Sequence, residues 1–116
     1  MQVNITSNQN FKGSFLQTKS LKTLRKTLCS ADNSVLDKQF KLMEKVKDGK
    51  VFGYETFPKN EDGNSSRIYE LVKYHGKEYK LTKFSAPKED YHFLFNSLHN
   101  EYKYKLVTGI HFDING

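Results

Sequence analysis

The sequence predicts an α+β domain, with helices packed on one face of a mainly antiparallel sheet in the order β-α-α-β-β-β-α-β-β. Three observations carry that reading. Leucines recur at helical spacing in SLKTLRKTLCS, and a second such stripe of Leu, Phe and Met follows between Asp32 and Lys47. β-rich alternation takes over at KVFGYETF and runs through RIYELVKYHGKEYKLTKF. A third helical stripe then precedes a final alternating stretch, HNEYKYKLVTGIHFD. A chain of 116 residues suits one core, so residues 1–116 are expected to form a single domain.

The elements follow in order. QVNIT, residues 2–6, alternates and reads as a short strand, followed by a polar loop that Phe11, Phe15 and Leu16 pin to the core. Ser20 is a suitable N-cap for a helix that buries Leu21, Leu24 and Leu28. Asp32 or Asn33 caps a second helix through Lys47, with Leu36, Phe40 and Met43 inward and Asp48-Gly49 as its stop. Together they suggest a helical hairpin or a bent pair. Phe52, Tyr54 and Thr56 alternate on a strand in which Gly53 marks a bulge or a close contact, and Asp62-Gly63 builds the next turn.

The central hairpin is expected to turn over Lys73, Tyr74, His75 and Gly76 with a glycine bulge, setting Leu71 against Tyr79, Tyr69 against Leu81 and Glu70 against Lys80. Ser85 and Pro87 open a third helix whose stripe is Tyr91, Leu94, Phe95 and Leu98. The same turn chemistry applied to residues 101–115 predicts a terminal hairpin, with Tyr102 facing Ile114 and Tyr104 facing Phe112 on the core side.

Function is less legible. Net charge is +6 with a pI near 9.3, which favours an acidic partner: nucleic acid, an anionic membrane or an acidic protein face. Of the 19 cations, Arg25 and Arg67 are the arginines, so bidentate reading of phosphate or guanine has little to work with. Cys29 is the sole cysteine, which removes intrachain disulfides and fits a reducing compartment. The first ten residues lack the charged and apolar regions of a signal peptide, and no apolar run reaches membrane-spanning length; a cytoplasmic protein is expected.

No catalytic signature stands out. Glu89 and His92 have the Glu-x-x-His spacing of half a di-metal site, with His99 further along the helix, but the chain supplies no second half. Cys29 follows Leu28 and reads as a half-buried thiol. GKVFG has neither the spacing nor the terminal Lys-Ser/Thr of a phosphate loop. The expectation is a non-enzymatic domain with no cofactor and no metal.

The basic faces remain. Lys19, Lys22 and Lys26 recur on the first helix, and Lys38, Lys41 and Lys45 on the second, while Lys103 and Lys105 interleave with the terminal tyrosines. These eight lysines are the candidate contact residues, with Lys77, Lys80 and Lys83 adding charge to the central hairpin. Asp37, placed to pair with Lys41, and Glu44 dilute the second row. Tyr74 with Tyr79, or Phe57 with Tyr69, could form an exposed aromatic pair. The first expectation is a protein-binding domain, an inhibitor, adaptor or accessory protein, docking by its basic helices or an open sheet edge. Small Lys- and Asn-rich chains without chemistry are frequent in phages and mobile elements, where blocking a host protein is a common task. The alternative is nucleic-acid binding by backbone contact from the Lys rows.

Overall fold

The computed structural model describes residues 12–115, with side chains through Val107; the strand expected over residues 2–6 lies outside them. The elements are β1 (Ser14–Phe15), α1 (Lys19–Thr27), α2 (Ser30–Lys45), β2 (Val51–Thr56), β3 (Ser66–Tyr74), β4 (Lys77–Ala86) and α3 (Tyr91–Asn115). The sheet order is β1-β2-β3-β4, with β1 parallel to β2 and the other pairs antiparallel. The α+β class therefore stands. The helices cover the face carrying Phe52, Tyr54 and Ile68.

Thr18, rather than Ser20, caps α1. Its hydroxyl oxygen accepts from the Leu21 N–H at 3.1 Å and its hydroxyl donates to the Tyr54 carbonyl at 2.8 Å, so one side chain both starts the helix and seats it on β2. Neither Asp32 nor Asn33 caps α2, which begins three residues earlier than Asn33, with Cys29 at the cap position. Asn33 instead reaches back to the Arg25 carbonyl at 3.1 Å and accepts from Arg25 Nε at 2.8 Å. That exchange holds the break between the helices. They do not form a packed hairpin: α1 rests on β2, and α2 on β1 and α3. The Cys29 thiol is exposed, not half-buried, because it caps rather than continues a buried stripe. Gly49 takes the left-handed position expected of it, with φ of 72°, but it does not stop α2, which ends at Lys45 with Val46 as its cap; Gly49 instead turns the chain into β2.

The central hairpin differs from expectation by one residue. His75 and Gly76 both have positive φ, 52° and 79°, which makes a two-residue loop with the right twist for the flanking strands. Tyr74 then pairs with Lys77, Val72 with Tyr79, Leu71 with Lys80 and Glu70 with Leu81. Continued without a break, this register would turn Phe84 away from the core. A register shift between Ile68 and Tyr69 leaves Lys83 without an opposite number and brings Phe84 over Ile68.

The terminal hairpin is overturned. Residues 101–115 continue α3, which starts after a short turn at Lys88–Asp90; Ser85 belongs to β4 and caps nothing. Leu94, Leu98 and Tyr102 make one buried stripe, and Tyr102 meets Phe52 edge-on at 5.7 Å. Glu101 and Lys105, one turn apart, add an ion pair at 3.7 Å. Tyr104, expected to be core-facing, is exposed. The core closes with Phe15, Phe40 and Phe95 in mutual ring contact and Tyr54 against Phe95, with Leu21 and Met43 in the same cluster.

Candidate interaction surface

β2 stops short of its neighbours. Its last antiparallel partner is the Phe52–Glu70 pair, so residues 71–74 and 77–80 project as a two-stranded arm. α3 passes Phe52 at Tyr102 and continues toward the same end of the molecule. Exposed large apolar side chains gather there. Among the described residues, Tyr74, Tyr79, Leu81, Tyr104, Leu106 and Val107 are at that end, and Val35 and Phe93 are the exceptions. Tyr79 and Leu81 are 48% and 54% exposed.

The arm is two-sided. Phe52 faces the core, and the pairing places Glu70, Val72, Tyr74, Lys77, Tyr79 and Leu81 on that same side of the sheet. Lys73, Glu78 and Lys80 lie on the other. Among the described residues β4 has one strand neighbour, β3, so its outer edge presents backbone donors and acceptors. Tyr74 and Tyr79, named from the sequence as a possible exposed pair, are exposed; Phe57 is half-buried and Tyr69 is buried.

The face away from the helices carries a charged cluster. Glu55 accepts from Arg67 Nε and Nη2 through one oxygen, at 2.8 and 2.6 Å, and from Lys80 Nζ through the other at 2.9 Å. Arg67 also donates to Thr82 at 2.7 Å. Burial pushes the Glu55 carboxyl upward, but the hydrogen bonds from Lys80 and Arg67 and their charges outweigh it and hold it below its usual range. The same pair with Glu55 raises Lys80. One acid answers two cations, leaving positive charge beside β4.

The eight candidate lysines fall in different settings. Lys19 borders a groove between α1 and the turn before α3, together with Lys88. Lys41 and Lys45 border a second hollow with Lys12, Glu44 and Lys47. Lys22, Lys26, Lys38 and Lys103 are exposed. Lys105 is engaged, at 3.3 Å from Asp48 and over the Tyr102 ring at 5.1 Å. Asp37 pairs with Arg25 at 2.7 Å rather than with Lys41. Glu89 and His92 are exposed, His92 lying against Tyr91, whereas His99 is half-buried with Nδ1 unpartnered. Among the described residues, no group of three His, Cys, Asp or Glu is placed to hold a metal ion, and no helix is long and apolar enough to cross a membrane.

Comparison with protein-family models, with curated proteins and with solved structures finds no match. The class the geometry defines is thus a structural one: a small α+β domain with a projecting hairpin arm. Leu81 is the residue that sequence reasoning missed. The wrong loop set it against Tyr69 in the core, and a His-Gly pair carries too weak a turn preference to correct that.

Proposed function

We propose that this chain is a cytoplasmic, non-enzymatic protein-binding domain that takes an acidic, extended segment of its partner along the open edge of β4. A single observation carries the reading: a ten-residue edge strand whose residues 77–82 are all exposed, Tyr79 and Leu81 among them. Strand addition draws affinity from backbone hydrogen bonds and specificity from alternate side chains. An incoming strand that alternates apolar and acidic residues sets its apolar side against Tyr79 and Leu81. Its carboxylates then face Lys80, on the side that also carries Lys73 and a single acid, Glu78. An inhibitor or adaptor of phage or mobile-element origin fits this mode of docking.

The test is a titration of the labelled protein with a ten-residue peptide alternating valine and glutamate, followed by amide chemical shifts. Saturable shifts concentrated on residues 77–82, lost in Leu81→Lys, support the reading. Shifts absent from β4 at millimolar peptide overturn it. A second reading rests on the exposed Lys22, Lys26, Lys38 and Lys41: contact with a nucleic-acid backbone, little dependent on sequence. It requires short duplexes to bind with an affinity that falls steeply between about 50 and 200 mM salt, and to be released by Lys22→Glu with Lys41→Glu.

A further inference from the structure

A groove of about 590 Å³ runs between α1, the end of β2 and the turn into α3, well away from the arm. That volume is within the range of small-ligand sites, roughly 300–1,000 Å³. Its apolar lining is Leu24, Tyr54 and Tyr91. The Tyr91 hydroxyl is engaged elsewhere, donating to Asp32 at 3.2 Å. The half-buried Tyr91 ring and Leu24 therefore offer carbon to an occupant, with the buried Tyr54 behind them. Thr27, also on the wall, donates its hydroxyl to the Leu24 carbonyl at 2.7 Å.

Charge at the rim is asymmetric. Lys19 comes from the first turn of α1 and Lys88 from the turn after β4, so two remote parts of the chain bring ammonium groups to one groove, against the single carboxylate of Glu89. Ser20, Thr23 and Thr56 add hydroxyls to the lining. A groove lined by apolar side chains and by two lysines against one carboxylate is complementary to a molecule with an apolar body and an anionic head. We propose that this groove binds a small amphipathic anion, an aromatic or aliphatic body ending in a carboxylate or sulfonate. This site is independent of docking at β4.

The probe is 1-anilinonaphthalene-8-sulfonate, titrated by fluorescence into the natively folded protein at pH 7. N-phenyl-1-naphthylamine, the same body without the sulfonate, serves as its neutral counterpart. Saturable binding of the anion, at least tenfold tighter than the neutral compound, is expected, with decanoate competing. Thr23→Trp, an exposed helix position whose larger ring fills the groove, should weaken binding at least tenfold. Lys19→Glu with Lys88→Glu should erase the preference for the anion, and Leu81→Ser on the arm should change nothing. Circular dichroism of each variant verifies the fold. Equal affinity for the two compounds, indifference to Thr23→Trp, or loss of binding in Leu81→Ser would each overturn the proposal.

Discussion

Gly53 sits on the outer face of β2 beneath Tyr69, and a Cβ there would strike Tyr69 Cζ and Oη. The missing side chain is what lets an outward-facing tyrosine reach 3% exposure, with Arg67 and Lys80 over its ring at 5.5 and 4.9 Å. Gly53→Ala should therefore cost about 1–3 kcal/mol through overpacking. In a Tyr69→Ala background most of that cost should vanish, which denaturant titrations of the four proteins in the cycle can measure. Glu55 is the electrostatic counterpart on this face. Its carboxyl is held below the usual range, so its contribution is present above the unfolded-state value and is lost as pH falls through the native one. Glu55→Gln should cost about 1–2 kcal/mol at neutral pH, a charge-assisted bond discounted for partial exposure. The gap from the parent protein should narrow below about pH 4. A gap that stays constant to pH 2.5 would show that Arg67 and Lys80 gain nothing from the charge.

At the level of elements, the turn of the β3–β4 hairpin gives the sharpest test. Gly76 holds φ of 79° and meets no atoms that would oppose a side chain, so Gly76→Ala isolates backbone strain and should cost about 1 kcal/mol. His75→Asn, a residue that tolerates the left-handed region better, should raise stability by a few tenths of a kcal/mol. Both are read from thermal melts. Had the four-position turn been right, His75 would not need the left-handed region and His75→Asn would gain nothing. The helices were legible because Leu21, Leu36, Met43, Leu94 and Leu98 repeat over several turns, and a stripe of that length has few alternative readings. The hairpin register was not. Apolar residues stand on both sides of either candidate loop, and the shift at Lys83 that reconciles the two faces leaves no mark in composition. The last segment failed for a related reason. Tyr102, Tyr104 and Leu106 alternate as a strand would, but Leu94, Leu98 and Tyr102 also repeat as a helix does. The second pattern wins because it extends an existing helix onto Phe52 and needs no new nucleus. Of the surface, Tyr74 and Tyr79 were legible as candidates, whereas the placing of Lys19 and Lys88 along one groove was invisible without the fold.

Across the whole molecule, Tyr102 joins parts that are far apart in the chain. It is fully buried, its hydroxyl donates to Asp48 Oδ2 at 3.2 Å, and Gly13 lies so close that a Cβ there would come within 2.7 Å of its ring. It thus ties α3 to the start of β1 and to the loop after α2. Burial raises its ionisation far above that of a free tyrosine, and Asp48 raises it further. Tyr54 and Tyr91 are raised as well, burial again being the leading cause. The sign follows from proton counts. Unfolded tyrosines lose their protons near pH 10 while these stay protonated in the fold, so the unfolded state binds fewer protons and stability falls as pH rises beyond about 10. Thermal melts should lose midpoint temperature steeply between about pH 9.5 and 11.5 for that reason. Lysines titrate in the same window and, in a chain of net charge +6, their neutralisation relieves repulsion, so the parent curve alone mixes two effects. Tyr102→Phe separates them. It keeps the ring against Phe52, cannot ionise, and leaves the lysine contribution common to both proteins. At pH 7 it should be less stable by about 1 kcal/mol for the lost hydrogen bond. That deficit should shrink above about pH 10 and then reverse, because the variant no longer has a phenol that only the unfolded chain can ionise. Parallel curves across the whole range would mean that Tyr102 ionises as readily in the fold as outside it, and the buried link between α3 and the Asp48 loop would have to be discarded.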